Sequence, residues 1–176
     1  MAHIKVITDN DFGLNSKKLN NPKIRYGARG IIERADGKIA ILNKKAKNEY
    51  KLPGGGVEIG ETPKTAFIRE ALEETGCNIK IIRELGTIEE KRSLDNFKQI
   101  SYIFVGEVTK DTKKLNLTPK EKDEGAQVLW VSKETALELI TNCMENISES
   151  KYENLYHSKF IVLRDSIILK HYIGNK

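Results

Sequence analysis

The sequence predicts an α/β domain, on three observations. Strand-like segments begin at Lys23, one sharply bounded helix runs from Thr62 to Gly76, and strand and helix patterns follow one another from Asn78 to the C-terminal region. At 176 residues the chain fits one domain able to bury its own core.

Residues 1–22 mix a short Ile4-Lys5-Val6-Ile7 stretch with Asn, Asp, Gly and Lys before Pro22, and are expected to form an N-terminal arm ahead of a domain spanning residues 23–176. Ile24 to Glu33 and Lys38 to Asn43 flank Asp36-Gly37, the signal of a hairpin turn. Tyr50 to Leu52 suits a third short strand, and Pro53-Gly54-Gly55-Gly56 reads as a loop. Thr62 can cap the helix that follows, Pro63 suits its first turn, and Gly76 marks its end. Asn78 to Glu90 and Gln99 to Val108 read as strands joined by a loop, Gln127 to Val131 as another, and Ser132 to Asn142 as a helix with a Ser cap. Over residues 150–172, Tyr152, Tyr156, Phe160, Leu163 and Ile167 recur at spacings of four, four, three and four. That pattern predicts a C-terminal amphipathic helix packed on its own domain, with a homodimer surface or a partner helix as the alternatives.

The composition, 39% hydrophobic and 31% charged, is that of a soluble globular chain. Apolar patches such as Phe160 to Leu163 fall far short of the roughly 20 residues a membrane-spanning helix needs, so no membrane partner is expected. The first residues contain no apolar signal-peptide core. Cys77 and Cys143 are too few for a disulfide scaffold and lack a CxxC spacing, which predicts reduced thiols in a cytoplasmic protein. The net charge of +5, spread without a basic block, favours anionic partners only weakly. A lysine-rich solubilising surface is the preferred reading, RNA binding is the alternative, and no nucleic-acid partner is expected.

The chemistry concentrates between Gly55 and Cys77. On a helix, Glu70, Glu73 and Glu74 share an arc of about 100 degrees, while Phe67, Ile68, Ala71, Leu72 and Thr75 fill the neighbouring arc and can bury it against a sheet. Carboxylates at these spacings repel one another. Arg69 offsets part of that repulsion, and a bound divalent cation is the simplest full compensation. All candidate ligands are oxygens, which suits Mg²⁺ or Mn²⁺ and, with it, a phosphate-bearing substrate. The glycine run lets backbone approach such a ligand closely.

Gly55-x5-Glu61-x7-Arg69-Glu70-Ala71-x-Glu73-Glu74-x-Gly76-Cys77 resembles the Nudix box, the signature of hydrolases that cleave nucleoside diphosphates linked to another group. All seven invariant positions are met; Ala71 and Cys77 stand where the family usually has a bulky aliphatic residue. The resemblance implies an α/β/α sandwich with a mixed β-sheet and the box helix packed on it, and it extends less sharply over residues 23–142.

By position, the resemblance implies that Glu70, Glu73 and Glu74 bind the metal, with a carbonyl of Gly54 or Gly55 as a further ligand; the acidic edge itself is expected to be exposed. Arg69 would orient Glu70, and Glu61 would support the site. Glu70 is one candidate general base; Glu124 and Glu121 in a later loop are others, with Glu124 preferred. Arg25 and Arg29 alternate along one strand and either hold phosphates or pair with nearby acids. Tyr26, Tyr50, Phe97 and Tyr102 either stack a base or pack in the core. Trp130 is assigned to packing, and His3, His157 and His171 to no role. The expected function is metal-dependent cleavage of a pyrophosphate linkage in a small nucleotide, a modified nucleoside triphosphate first. The alternatives are a catalytically silent nucleotide sensor and a hydrolase of ADP-ribose, nucleotide sugars or RNA 5' phosphates.

Overall fold

In the computed structural model, which describes residues 2–175, the chain runs β1 (His3–Thr8), β2 (Lys23–Glu33), β3 (Ile39–Lys44), β4 (Glu49–Lys51), β5 (Gly54–Gly56), α1 (Pro63–Thr75), β6 (Cys77–Arg92), β7 (Phe97–Asp111), α2 (Pro119–Asp123), β8 (Ala126–Val131), α3 (Lys133–Asn146) and α4 (Leu155–Gly174). The strands form one mixed sheet in the order β1-β6-β7-β2-β3-β4, with β5 added beside β2 and β8 beside β3. β1 runs parallel to β6 and β2 parallel to β7; the other pairings are antiparallel.

Successive side chains on a strand enter opposite layers, and here both layers are buried. Ile31, Ile39, Ile41, Ile103 and Val105 pack with Ala136 and Ile140 of α3 and with Phe160, Ile168 and Leu169 of α4. Ile32, Ala40 and Phe104 pack with Ala66, Phe67 and Ala71 of α1 on the other face. The result is the expected α/β/α sandwich. Both cysteines are buried and free, and no helix among the described residues is long and apolar enough to cross a membrane.

The boundary signals of α1 act as read. Thr62 Oγ1 accepts from the Thr65 amide at 3.2 Å, and Thr65 Oγ1 accepts from the Thr62 amide at 2.9 Å. Gly76 ends the helix in the left-handed region, φ 71°, where its amide donates to the Leu72 carbonyl.

Four expectations are corrected. First, residues 1–22 are not simply an arm: β1 lies in the sheet, and its Ile7 is fully buried in the core. Second, the glycine run is a strand, pairing Gly54, Gly55 and Gly56 with Arg29, Ala28 and Gly27. Third, α1 is rotated from the expected packing. Ala66, Phe67, Ala71, Glu74 and Thr75 are buried, whereas Ile68 and Leu72 are exposed, so part of the acidic edge faces inward. Fourth, α4 begins at Leu155, leaving Tyr152 outside it and exposed; Leu163 and Ile167 pack only partly. The face of α4 turned to the sheet also carries buried Arg164 and Asp165.

Candidate active site

A cavity of about 420 Å³ opens where β2, β5, the end of β6, α1, α2 and α4 meet. One wall is the box helix and the glycine strand. Gly55 lies against the Glu70 carboxylate so closely that a Cβ at this position would overlap it. The Gly54 amide donates to Glu74 Oε2 at 2.6 Å. Gly54 holds φ 135°, and a Cβ there would strike Arg29 and the Ala28 carbonyl, so glycine is demanded on both counts.

Arg69 gathers this wall. Its Nε and Nη2 donate to the two oxygens of Glu61 at 2.8 and 3.1 Å, and Nη2 also donates to the Gly56 carbonyl at 3.0 Å. Nη1 donates to both Glu70 and Glu73 at 3.0 Å. A planar guanidinium is suited to such multiple pairing. It holds Glu61 below the usual carboxylate range.

Glu74, expected at an exposed edge, is buried at 2% exposure. Burial pushes its carboxyl up to about 7; Lys51, 3.1 Å away, works against this and Glu70 adds to it. Burial likewise raises Glu70, in spite of Arg69. For Lys51, burial favours the neutral form, but the charge of Glu74 prevails and keeps the ammonium protonated.

Among the described residues, no three acidic, His or Cys side chains converge closely enough to hold a metal as they stand. The donor chemistry nevertheless fits a hard divalent ion: every candidate is an oxygen, two of the carboxylates are raised by burial, and the cationic Nη1 of Arg69 already bridges Glu70 and Glu73.

Arg25 and Arg29 both line the cavity, as their alternation implies. Arg29 is buried, and burial together with the neighbouring Arg164 lowers it to about 10. Of the two later carboxylates, Glu121 lines the cavity and Glu124 does not. Glu124 is buried behind it, paired with Lys44 Nζ at 2.8 Å and accepting from Ser150 Oγ at 2.7 Å. The cavity thus presents Glu121 and not Glu124, the one preferred from the sequence. Both are held below the usual carboxylate range; burial opposes this, and is outweighed by the Thr118 amide and hydroxyl for Glu121 and by Lys44 for Glu124.

Glu90, Arg92, Gln99 and Arg164 also line the cavity and were not singled out by the sequence. Glu90 and Gln99 are paired across β6 and β7, and Gln99 is paired with Arg25 across β7 and β2, so polar residues at one level of three strands meet here. Glu90 and Arg92 sit in the unbroken charged run Glu89-Glu90-Lys91-Arg92, which hides their shared inward face, and Arg164, on a distant helix, gave no sign.

Of the aromatic candidates, Tyr26 and Tyr102 line a second cavity of about 410 Å³ with Val57, Ile59 and Pro63. Glu58 borders both cavities. Tyr50 packs against the core, Phe97 lies under Arg92, and Trp130 packs against the α1 side with Arg34 over its ring. His157 pairs with Asp95 at 2.6 Å, and no histidine lines either cavity.

The chain is 31% identical over 83 residues to a putative 8-oxo-dGTP diphosphatase of Bacillus subtilis, covering 47% of this chain and 53% of that protein. It is 39% identical over 82 residues to an ADP-ribose pyrophosphatase of Methanocaldococcus jannaschii, covering 45% and 48%. The chain thus spans about half the length of these curated relatives. A solved NUDIX hydrolase from Nitrosomonas europaea superposes with a TM-score of 0.61 at 18% identity, covering 88% of this chain and 91% of that one, a likeness of fold. The NUDIX domain model matches residues 23–150, which hold the glycine strand, the box helix and both later carboxylates, and the chain belongs to the NUDIX domain family.

Proposed function

We propose that the chain is a divalent-metal-dependent pyrophosphohydrolase cleaving the diphosphate linkage of a nucleoside diphosphate derivative, with a normal or modified nucleoside triphosphate as its substrate. The observation that carries this reading is the convergence of Glu61, Glu70 and Glu73 on Arg69 beside Gly55 and Gly56, in a cavity that also presents Arg25 and Arg29. The names of the two curated relatives, a diphosphatase and a pyrophosphatase, support the same bond class.

Glu70, Glu73 and Glu74, with a Gly54 or Gly55 carbonyl, would hold Mg²⁺ or Mn²⁺. When bound, such an ion neutralises phosphate oxygens and lowers the pKa of a coordinated water. The residues of the chain supply the rest. Arg69 fixes the orientation of Glu70 and Glu73 and ties them to the loop through Glu61. Arg25 and Arg29 bind phosphate oxygens. Glu121, on the cavity wall and held ionised at neutral pH, accepts the proton of the attacking water. Tyr26 and Tyr102, across Glu58 in the neighbouring cavity, stack the base. The buried free thiols support a reducing, cytoplasmic setting.

The test is ³¹P NMR of nucleoside triphosphates, ADP-ribose and nucleotide sugars incubated with the protein and Mg²⁺ or Mn²⁺. The expected result is conversion of a triphosphate to monophosphate and pyrophosphate, abolished by EDTA. No phosphorus-containing product from any of these substrates, with either metal, would overturn the reading.

A further inference from the structure

Three arginines that line the cavity each leave a buried guanidinium nitrogen without a hydrogen-bond partner. Arg29, at 4% exposure, makes no side-chain hydrogen bond or ion pair with any described residue, and its Nε is buried without a partner. Arg164, at 2% exposure, donates from Nε to Asp165 at 2.8 Å and from Nη1 to Glu90 at 3.2 Å, while its Nη2 is buried without a partner. Arg92 lies over the Phe97 ring at 4.1 Å, and its buried Nε also lacks a partner. The acids beside them are already engaged: Glu90 Oε2 also accepts from Gln99, and Asp165 Oδ2 accepts from the Leu52 amide. The ion pairs of the α1 carboxylates run to Arg69 and Lys51, and to none of these three arginines.

A buried guanidinium nitrogen without an acceptor is costly in a folded protein, and forked N–H donors left open in a cavity match phosphate oxygens. Arg164 comes from α4, beyond the residues 23–150 matched by the family model, so this cluster depends on a part of the chain outside the shared domain.

We infer that Arg29, Arg92 and Arg164 form an anion subsite for a phosphate group other than the two joined by the bond that is cleaved. The inference rests on the hydrolase reading and names the residues that would hold the third phosphate of its substrate. Two phosphates must lie at the α1 carboxylates for cleavage, so a third group at the arginines requires a substrate with at least three phosphates. A nucleoside triphosphate meets that demand; ADP-ribose and nucleoside diphosphate sugars do not.

The test is calorimetric binding of tripolyphosphate and of pyrophosphate with Mg²⁺, which lets two phosphates sit at the α1 carboxylates and leaves the third for the arginines. The wild-type protein is expected to prefer tripolyphosphate by about tenfold or more. Arg29→Met is expected to abolish that preference while the unliganded protein melts no lower than wild type, because Arg29 has no hydrogen bond or ion pair to lose and methionine keeps its apolar stem. Arg164→Lys, which retains charge but not the fork, is expected to weaken the preference. Equal binding of both anions by the wild type, retained preference in Arg29→Met, or a marked fall in its melting temperature would each overturn the inference. Hydrolysis with Mg²⁺ is measured separately. Turnover without anion preference defeats the subsite and leaves the hydrolase reading standing; preference without turnover of any nucleotide does the reverse.

Discussion

Arg69 and Glu61 meet as a two-pronged pair, with Nε and Nη2 of the arginine at 2.8 and 3.1 Å from the two carboxylate oxygens. This joins the residue just before the N-cap of α1 to its second turn, leaving Nη1 for Glu70 and Glu73. Lysine can replace the charge but not three separately aimed nitrogens. Arg69→Lys is therefore expected to lower kcat by about 10- to 100-fold, the usual size of an effect transmitted through a supporting residue. Steady-state kinetics at saturating Mg²⁺ checks this, and wild-type kcat in the lysine variant would contradict it.

Glu74 calls for a different balance. Its carboxyl is raised by burial, so the folded protein resists the charge that metal binding requires. Glu74→Gln keeps an oxygen for the Gly54 amide but leaves Lys51 without its anion. The expected outcome is a loss of turnover of about 100-fold or more, with a melting temperature at pH 8 within about 5 °C of wild type. Calorimetric melting together with an activity assay separates the two effects.

Glu121 and Glu124 are expected to part company. Glu121→Gln should lower kcat by about 100-fold with little change in unfolding midpoint. Glu124→Gln should keep most of its activity but destabilise the fold by about 1–3 kcal/mol, because it leaves buried Lys44 short of a partner. Urea unfolding of both variants alongside kinetics would expose an inverted assignment.

The N-terminal strand offers a test of the fold. Ile7 is fully buried against the α4 side of the sheet. Ile7→Ala should cost about 2–5 kcal/mol, visible in the urea midpoint; a detached arm would give no change.

Acid stability turns on Glu153. Burial disfavours its charge, but Lys47 at 2.7 Å, with Lys44 and Lys120 beyond, lowers the carboxyl to about 2 from an ordinary value of 4.5. Since the folded pKa is the lower one, the stabilisation is complete above about pH 4.5 and drains away as the pH falls towards 2. It is worth on the order of 3 kcal/mol. Glu153→Gln should be less stable than wild type at pH 6, and the gap should narrow by pH 2.5 in denaturant titrations.

What could be read from the sequence was what neighbouring residues decide. Thr62, Pro63 and Gly76 bound α1 through contacts within a few positions, and the box placed Glu61, Arg69 and Glu70 on one wall of the cavity. What escaped depends on distant segments. The burial of β1 is conferred by β6, more than seventy residues away, and its alternating pattern is too short to announce it. The glycine run looked like a loop because glycine disfavours strands in general; here only glycine fits between Arg29 and Glu70. The rotation of α1 was missed because hydrophobicity alone put Ile68 and Leu72 inside, whereas Glu74 is drawn in by Lys51 and the Gly54 amide. Arg164 could not be foreseen at all, since a helical arginine is ordinarily solvated.

The parallel pairing of β1 with β6 also bears on how the chain is made. During synthesis, His3 emerges well before Thr87, its register partner, and at about 5–20 residues per second the gap lasts several seconds. Through that interval a nascent Ile7 has no mate, and its strand keeps an unpaired edge. Lys5 and the acidic Asp9-Asn10-Asp11 turn beside it give that edge charge, the kind of feature that discourages premature pairing with another polypeptide.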